Sequence, residues 1–78
     1  MNYPRFARRR GLEGTVWIEI EMNADGSQHA LTIVESSGHD VLDEAALNDV
    51  AKWRLSPFYE NGTAIAYRVK VPVRFKLN

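Results

Sequence analysis

Residues 36–75 read SSGHDVLDEAALNDVAKWRLSPFYENGTAIAYRVKVPVRF, and two periodicities meet in them. Leu42, Ala46, Val50 and Trp53 recur at spacings of four, four and three, which is the apolar stripe of an amphipathic helix. Asp40 suits the N-cap, and Asp43 and Glu44 place negative charge in the first turn, where the helix dipole favours it. The helix is predicted to run to Lys52 or Trp53, with Trp53 in the core. Asp49 lies on the same stripe. A charge there is costly unless paired, so it is expected to be partly buried against Arg54 or an arginine of the first helix. From Ala64 to Leu77 the period falls to two: Ile65, Tyr67, Val69, Val71, Val73, Phe75 and Leu77 share one side, and Arg68, Lys70, Arg74 and Lys76 the other. That alternation predicts one long half-buried strand. At about 3.3 Å per residue it would reach roughly 45 Å, more than twice a typical strand. Residues 54–62, with the Asn61-Gly62 turn, read as a connector.

Working outward, Val16, Ile18, Ile20 and Met22 alternate with Thr15, Trp17, Glu19 and Glu21, which predicts a first strand over 14–22. Asn23-Ala24-Asp25-Gly26 is a hairpin turn, because Gly26 accepts positive φ without a steric cost. The second strand covers about 28–35, with Leu31 and Ile33 inward. Before these, Pro4 suits the first position of a two-turn helix and Gly11 its stop. A helix that short is not stable alone, so it must dock, here through Phe6 and its neighbours.

Charge orders the strands. The outward side chains near the first strand are acidic (Glu13, Glu19, Glu21), and those of the last are basic. Facing opposite charges favour pairing by a few tenths of a kcal/mol each. The last strand is therefore placed beside the first, and the helix between strands two and three crosses over in the usual right-handed sense. The expectation is an α+β domain, α-β-β-α-β, with a three-stranded antiparallel sheet in order 2-1-3 and both helices on one face.

Length allows one domain over 1–78, since a chain of this size buries only about 60% of its unfolded surface. Ten basic and ten acidic residues balance to zero, which argues against nucleic-acid binding. There is no cysteine, hence no disulfide or thiolate metal site. No apolar run approaches a membrane span, and no signal-peptide pattern follows Met1. His29 and His39 lack any metal or catalytic spacing and read as loop histidines. Ser36-Ser37-Gly38 has neither a nucleophile motif nor a phosphate-binding lysine, and reads as a turn. Enzymatic chemistry, a metal and a cofactor are thus not expected. Arg8-Arg9-Arg10 fits a solvated helix C-terminus, with phosphate binding and steering toward an acidic surface as alternatives. Trp17, beside Thr32 or Val34 on the open face, fits either an interface anchor or a cover over that face.

Pro72 carries the functional reading. Proline cannot donate to a ladder, so it belongs on an edge strand, and an exposed edge is a template for another chain. A proline that merely limits aggregation also fits, and both roles are compatible.

The order Ser36-Ser37-Gly38, helix, Trp53-Arg54, Pro57, Asn61-Gly62 and a Pro72-bearing strand resembles the C-terminal domain of the TonB family. Tyr3-Pro4, Ala7, Leu12-Glu13-Gly14 and Asp25-Gly26 agree with it. Gln28 and Asp49 depart from it, since the family usually has an aliphatic residue and an alanine there. The resemblance implies a periplasmic energy transducer of siderophore or iron uptake, anchored to the inner membrane. The TonB box of an outer-membrane transporter would then pair with Ile65, Ala66, Tyr67, Arg68, Val69, Lys70 and Val71. Arg5, Arg8, Arg9 and Arg10 would make secondary contacts, and inner-membrane motor proteins would act through an N-terminal part. It implies a piece of a longer protein whose membrane helix and Pro-rich linker lie outside this chain, Met1 and Asn2 being an added start. The resemblance also points to an intertwined or edge-paired homodimer, which Pro72 and the outward Arg68, Lys70, Arg74 and Lys76 oppose. The alternatives are a TolA-like envelope coupling domain and a TonB-like docking module appended to a sensor or enzyme.

Overall fold

The computed structural model describes residues 2–78, and the expectation placed on Met1 lies outside them. Along these residues run α1 (Arg5–Arg10), β1 (Gly14–Met22), β2 (Gln28–Glu35), α2 (Asp40–Val50), β3 (Phe58–Glu60), β4 (Thr63–Ile65) and β5 (Tyr67–Phe75). The main sheet has order β2-β1-β5 with antiparallel neighbours, as the charge pattern predicted. The alternation in β1 sends Val16, Ile18, Ile20 and Met22 into the core, all buried, where they meet Ala7, Leu42, Ala46, Val50, Val73 and Phe75.

α1 docks differently from expectation. Phe6 is 54% exposed and Ala7 is fully buried. A methyl group lets the helix backbone come close to the sheet, where a ring would hold it off. Tyr3 supplies the aromatic contact: its ring meets Phe75 edge-on at 5.3 Å, and its hydroxyl donates to the Leu12 carbonyl. Pro4 is the N-cap residue rather than the first helical one, and Gly11 ends the helix at φ 67°.

α2 begins at Asp40, but Asp40 is not its cap. His39 holds that position, with no side-chain cap bond. Asp43, one turn in, is buried and reaches back to the preceding loop. It accepts hydrogen bonds from the Ser37 amide at 2.9 Å, the Ser37 hydroxyl at 2.7 Å and the Ser36 hydroxyl. Burial pushes its carboxyl pKa up. Those hydrogen bonds and the nearby His39 charge outweigh burial and hold it below the ordinary 3.8. The helix ends at Val50, and Lys52 and Trp53 close it with bonds to Asp49 and Val50. Past that point the helical stripe no longer applies, so Trp53 is 39% exposed rather than in the core. The carbonyls of Val50 and Trp53 instead receive the Gln28 side-chain amide, at 2.9 and 3.0 Å. A register shift beside Met22 skips His29 and puts Gln28 opposite Met22. This accounts for a polar residue at a position expected to be aliphatic.

The expected single last strand is divided. β4 pairs with β3 as a separate hairpin, Ala66 links, and β5 pairs with β1. The connector therefore contains a strand. Strand pairing ends at Phe75 rather than Leu77, whose amide donates to the Glu13 carboxylate at 2.6 Å. Asp49 is half-buried as expected, but no ion pair reaches it among the described residues.

Two stability measurements check this packing. Asp43→Ala strands the Ser37 amide and is expected to cost about 1–3 kcal/mol in urea melts. Asp43 stabilises the fold fully above its unfolded value near 3.8, and that contribution is lost as pH falls through its lower folded value. The variant should therefore lose its deficit below that range; a deficit that persists there rules out the carboxylate as its source. Asp49→Ala removes an unpaired acid at the negative end of the helix dipole and adds a better helix former. It should gain about 0.5–1 kcal/mol, and a lowered melting temperature would contradict this account.

Candidate functional site

The β1–β5 ladder runs without a register break from Gly14↔Phe75 to Met22↔Tyr67, and Pro72 sits inside it opposite Trp17. A proline fits an unbroken ladder only where its nitrogen faces away from the partner strand. Backbone direction alternates along a strand. Arg68, Lys70 and Arg74 therefore also turn their N–H and C=O groups away from β1, while Tyr67, Val69, Val71, Val73 and Phe75 turn theirs toward it. No strand among the described residues lies on the outer side of β5. The sheet's other edge, β2, is interrupted by register shifts near both ends, at Trp17/Ile18 and Glu21/Met22. Bulges of this kind discourage edge pairing. The straight edge is β5.

Of the residues predicted to pair with a partner, Tyr67, Arg68, Val69, Lys70 and Val71 lie on this edge strand. Ile65 lies in β4 opposite Phe58, and Ala66 is the link. Side chains form two rows. Tyr67, Val69 and Val71 are half-buried and pack on the core from the helix side. Arg68, Lys70 and Arg74 are exposed on the open face, opposite Glu21, Glu19 and Thr15 of β1. Only Arg68–Glu21 comes within ion-pair range among the described residues, at 3.9 Å. Trp17 has Glu35 and Pro72 as its register partners, with Val34 the residue skipped at the adjoining register shift and Thr32 opposite Glu19, and is 38% exposed. Arg5, Arg8, Arg9 and Arg10 are exposed on α1. Arg8 lies 5.1 Å over the Tyr3 ring and Arg10 4.8 Å over that of Phe6. Because Tyr3 packs on Phe75, Arg8 lies near that end of β5, opposite the Tyr67 end.

The β3–β4 hairpin was not foreseen. Asn61 at φ 53° and Gly62 at φ 81° make its turn, and the Asn-Gly dipeptide between Tyr59 and Ile65 was its available signal. Phe58 and Tyr59 are 51% and 61% exposed. The Tyr67 hydroxyl donates to the Ser56 carbonyl at 2.8 Å, and the Phe58 and Tyr67 rings lie 6.0 Å apart, which fixes the hairpin to the start of β5. Among the described residues no group of three or more His, Cys, Asp or Glu could hold a metal, and no helix is long and apolar enough to cross a membrane.

The fold is an α+β domain whose three-stranded sheet leaves the outer side of β5 without a partner strand among the described residues. The family model described as Gram-negative bacterial TonB protein C-terminal matches residues 1–77, and the chain belongs to that family. It is 45% identical over 75 residues to protein TonB of Vibrio cholerae, covering 96% of this chain and 31% of that protein. It is 37% identical over 76 residues to protein TonB of Xanthomonas campestris, covering 97% of this chain and 34% of that one. The chain thus spans about a third of the length of the curated relatives it matches. The solution structure of the Pseudomonas aeruginosa TonB C-terminal domain superposes with a TM-score of 0.79 at 30% identity, over 97% of this chain and 77% of that one. A Helicobacter pylori TonB C-terminal domain gives 0.78 at 28%, over 99% and 69%.

If Pro72 limits the free edge, restoring its N–H should lengthen that edge. Pro72→Val is expected to strengthen self-association about tenfold, as one added hydrogen bond on each side of a symmetric pair implies. Sedimentation velocity over a concentration series measures this. Unchanged association would show that Pro72 does not limit the edge.

Proposed function

We propose that this chain is the periplasmic domain of a TonB-like energy transducer anchored to the inner membrane. In this reading β5 accepts the TonB box of an outer-membrane transporter as a fourth strand. Force derived from the proton-motive force reaches the domain from inner-membrane motor proteins through the N-terminal part of the full protein and passes to the transporter for substrate uptake, iron or siderophores included. The observation that carries this reading is the unbroken ladder through Pro72, which leaves the Arg68 and Lys70 amides turned outward on a straight edge. Family membership supports the identity of the partner. Backbone hydrogen bonds along a strand pulled lengthwise load together, so a short contact can bear tension. No side-chain chemistry is required of the domain, and no cofactor. The TolA-like and appended-module readings have no observation here in their favour.

Titration of the isotope-labelled chain with a TonB-box peptide tests the proposal. Amide shifts should concentrate in Tyr67–Val71, with hydrogen exchange slowed most at Arg68 and Lys70. Lys70→Pro removes an outward N–H and leaves the β1 ladder intact. It should weaken binding tenfold or more at a stability cost of about 1 kcal/mol or less. Shifts confined to the Asn23–Gly26 turn, or full affinity in Lys70→Pro, would refute strand addition at this edge.

A further inference from the structure

We infer that β5 selects its added strand by charge, favouring a segment with acidic side chains at alternate positions and apolar ones between; this rests on the strand-addition reading above. A strand laid along β5 continues the two rows of side chains already present, one on each face of the sheet. On the helix side it meets Tyr67, Val69 and Val71. All three are half-buried, and no strand among the described residues flanks them on the outer side; the Phe58 ring, 6.0 Å away, flanks Tyr67 alone, so apolar neighbours bury more of Val69 and Val71. On the open face it meets Arg68 and Lys70, and beyond Pro72, Arg74. β5 carries these three cations and no acid.

The acids of β1 compensate them only from the inner side. Glu21 approaches Arg68 at 3.9 Å, yet the Arg68 side chain remains 70% exposed. Glu19 faces Lys70 in register, but the two do not come within ion-pair distance. Among the described residues Lys70 and Arg74 therefore have no anionic partner within ion-pair distance, and Arg68 has only Glu21 on the inner side. Pro72 lacks an outward N–H, so the Arg68–Lys70 segment is where the added strand is both hydrogen-bonded and read by charge. A second copy of the chain placed on the same edge would bring cations against cations, so self-pairing is disfavoured where an acidic segment is favoured.

The test uses the 78-residue chain and three acetylated peptides that alternate valine with glutamate, threonine or lysine, with affinity measured by calorimetry and location by amide shifts. Two cross-strand charge pairs predict that the glutamate peptide binds about tenfold tighter than the lysine peptide, with threonine between. The gap should shrink between roughly 20 and 500 mM salt as exposed charges are screened. The double variant Arg68→Gln, Lys70→Gln keeps the edge and avoids new like-charge contacts with Glu19 and Glu21; it should erase the ranking. Equal binding of all three peptides, or a ranking unchanged in the double variant, would overturn charge selection and leave strand addition standing. Failure of every peptide to shift the Arg68 and Lys70 amides would overturn both. Protection of those amides by raised protein concentration alone would show a second copy as the preferred occupant and overturn the inference.

Discussion

The alternation of β1 is the constraint on which the rest depends. Its four core residues, Val16, Ile18, Ile20 and Met22, are buried almost completely. That is possible only if β1 is flanked by strands on both sides and covered by helices on one face. Each buried aliphatic side chain is worth about 1.5–3 kcal/mol over exposure. A slip of one residue in either ladder would exchange that set for Thr15, Trp17, Glu19 and Glu21. Register is therefore strongly specified along β1, and the register of β5 follows from it. Which β5 amides face outward is consequently decided in the core.

The same logic separates what the sequence could show from what it could not. Strand β1, the Asp25-Gly26 turn, α2 and the sheet order were legible because each rests on a periodicity or a charge pattern. The edge was legible because proline at position 72 excludes an interior strand. The division of the last strand was not legible. Alternation persists unbroken through 64–77 and records which face each side chain takes, not which partner the backbone has. Ile65 accordingly belongs to a hairpin with Phe58, while Tyr67 belongs to the main sheet.

Two single-residue expectations differ from the structure, one resting on side-chain size and one on helical spacing. Phe6 was assigned the docking role for its size, yet close approach of α1 required Ala7. Trp53 was assigned to the core by helical spacing, though the helix stops at Val50. Asp43 does lie in the first turn as the dipole favours, and its burial, which the sequence pattern does not show, rests on the donors that Ser36 and Ser37 supply. Gln28 is the converse case. It departs from the aliphatic residue usual in the family, and its side-chain amide closes the end of α2.

The central place of β1 also sets an order of assembly. Its partner β2 is joined to it by a tight turn, and hairpins of that kind form within about 1–10 μs. Its partner β5 lies far along the chain, so that ladder must wait for a long loop to close. Until then the side of β1 destined for β5 is itself an unfilled edge, bordered by the most apolar surface in the molecule. Slow closure exposes it to any passing extended chain, including a β5 from another copy. Interrupted refolding is the circumstance in which exchanged strands are expected, and dilution during refolding is the condition that suppresses them.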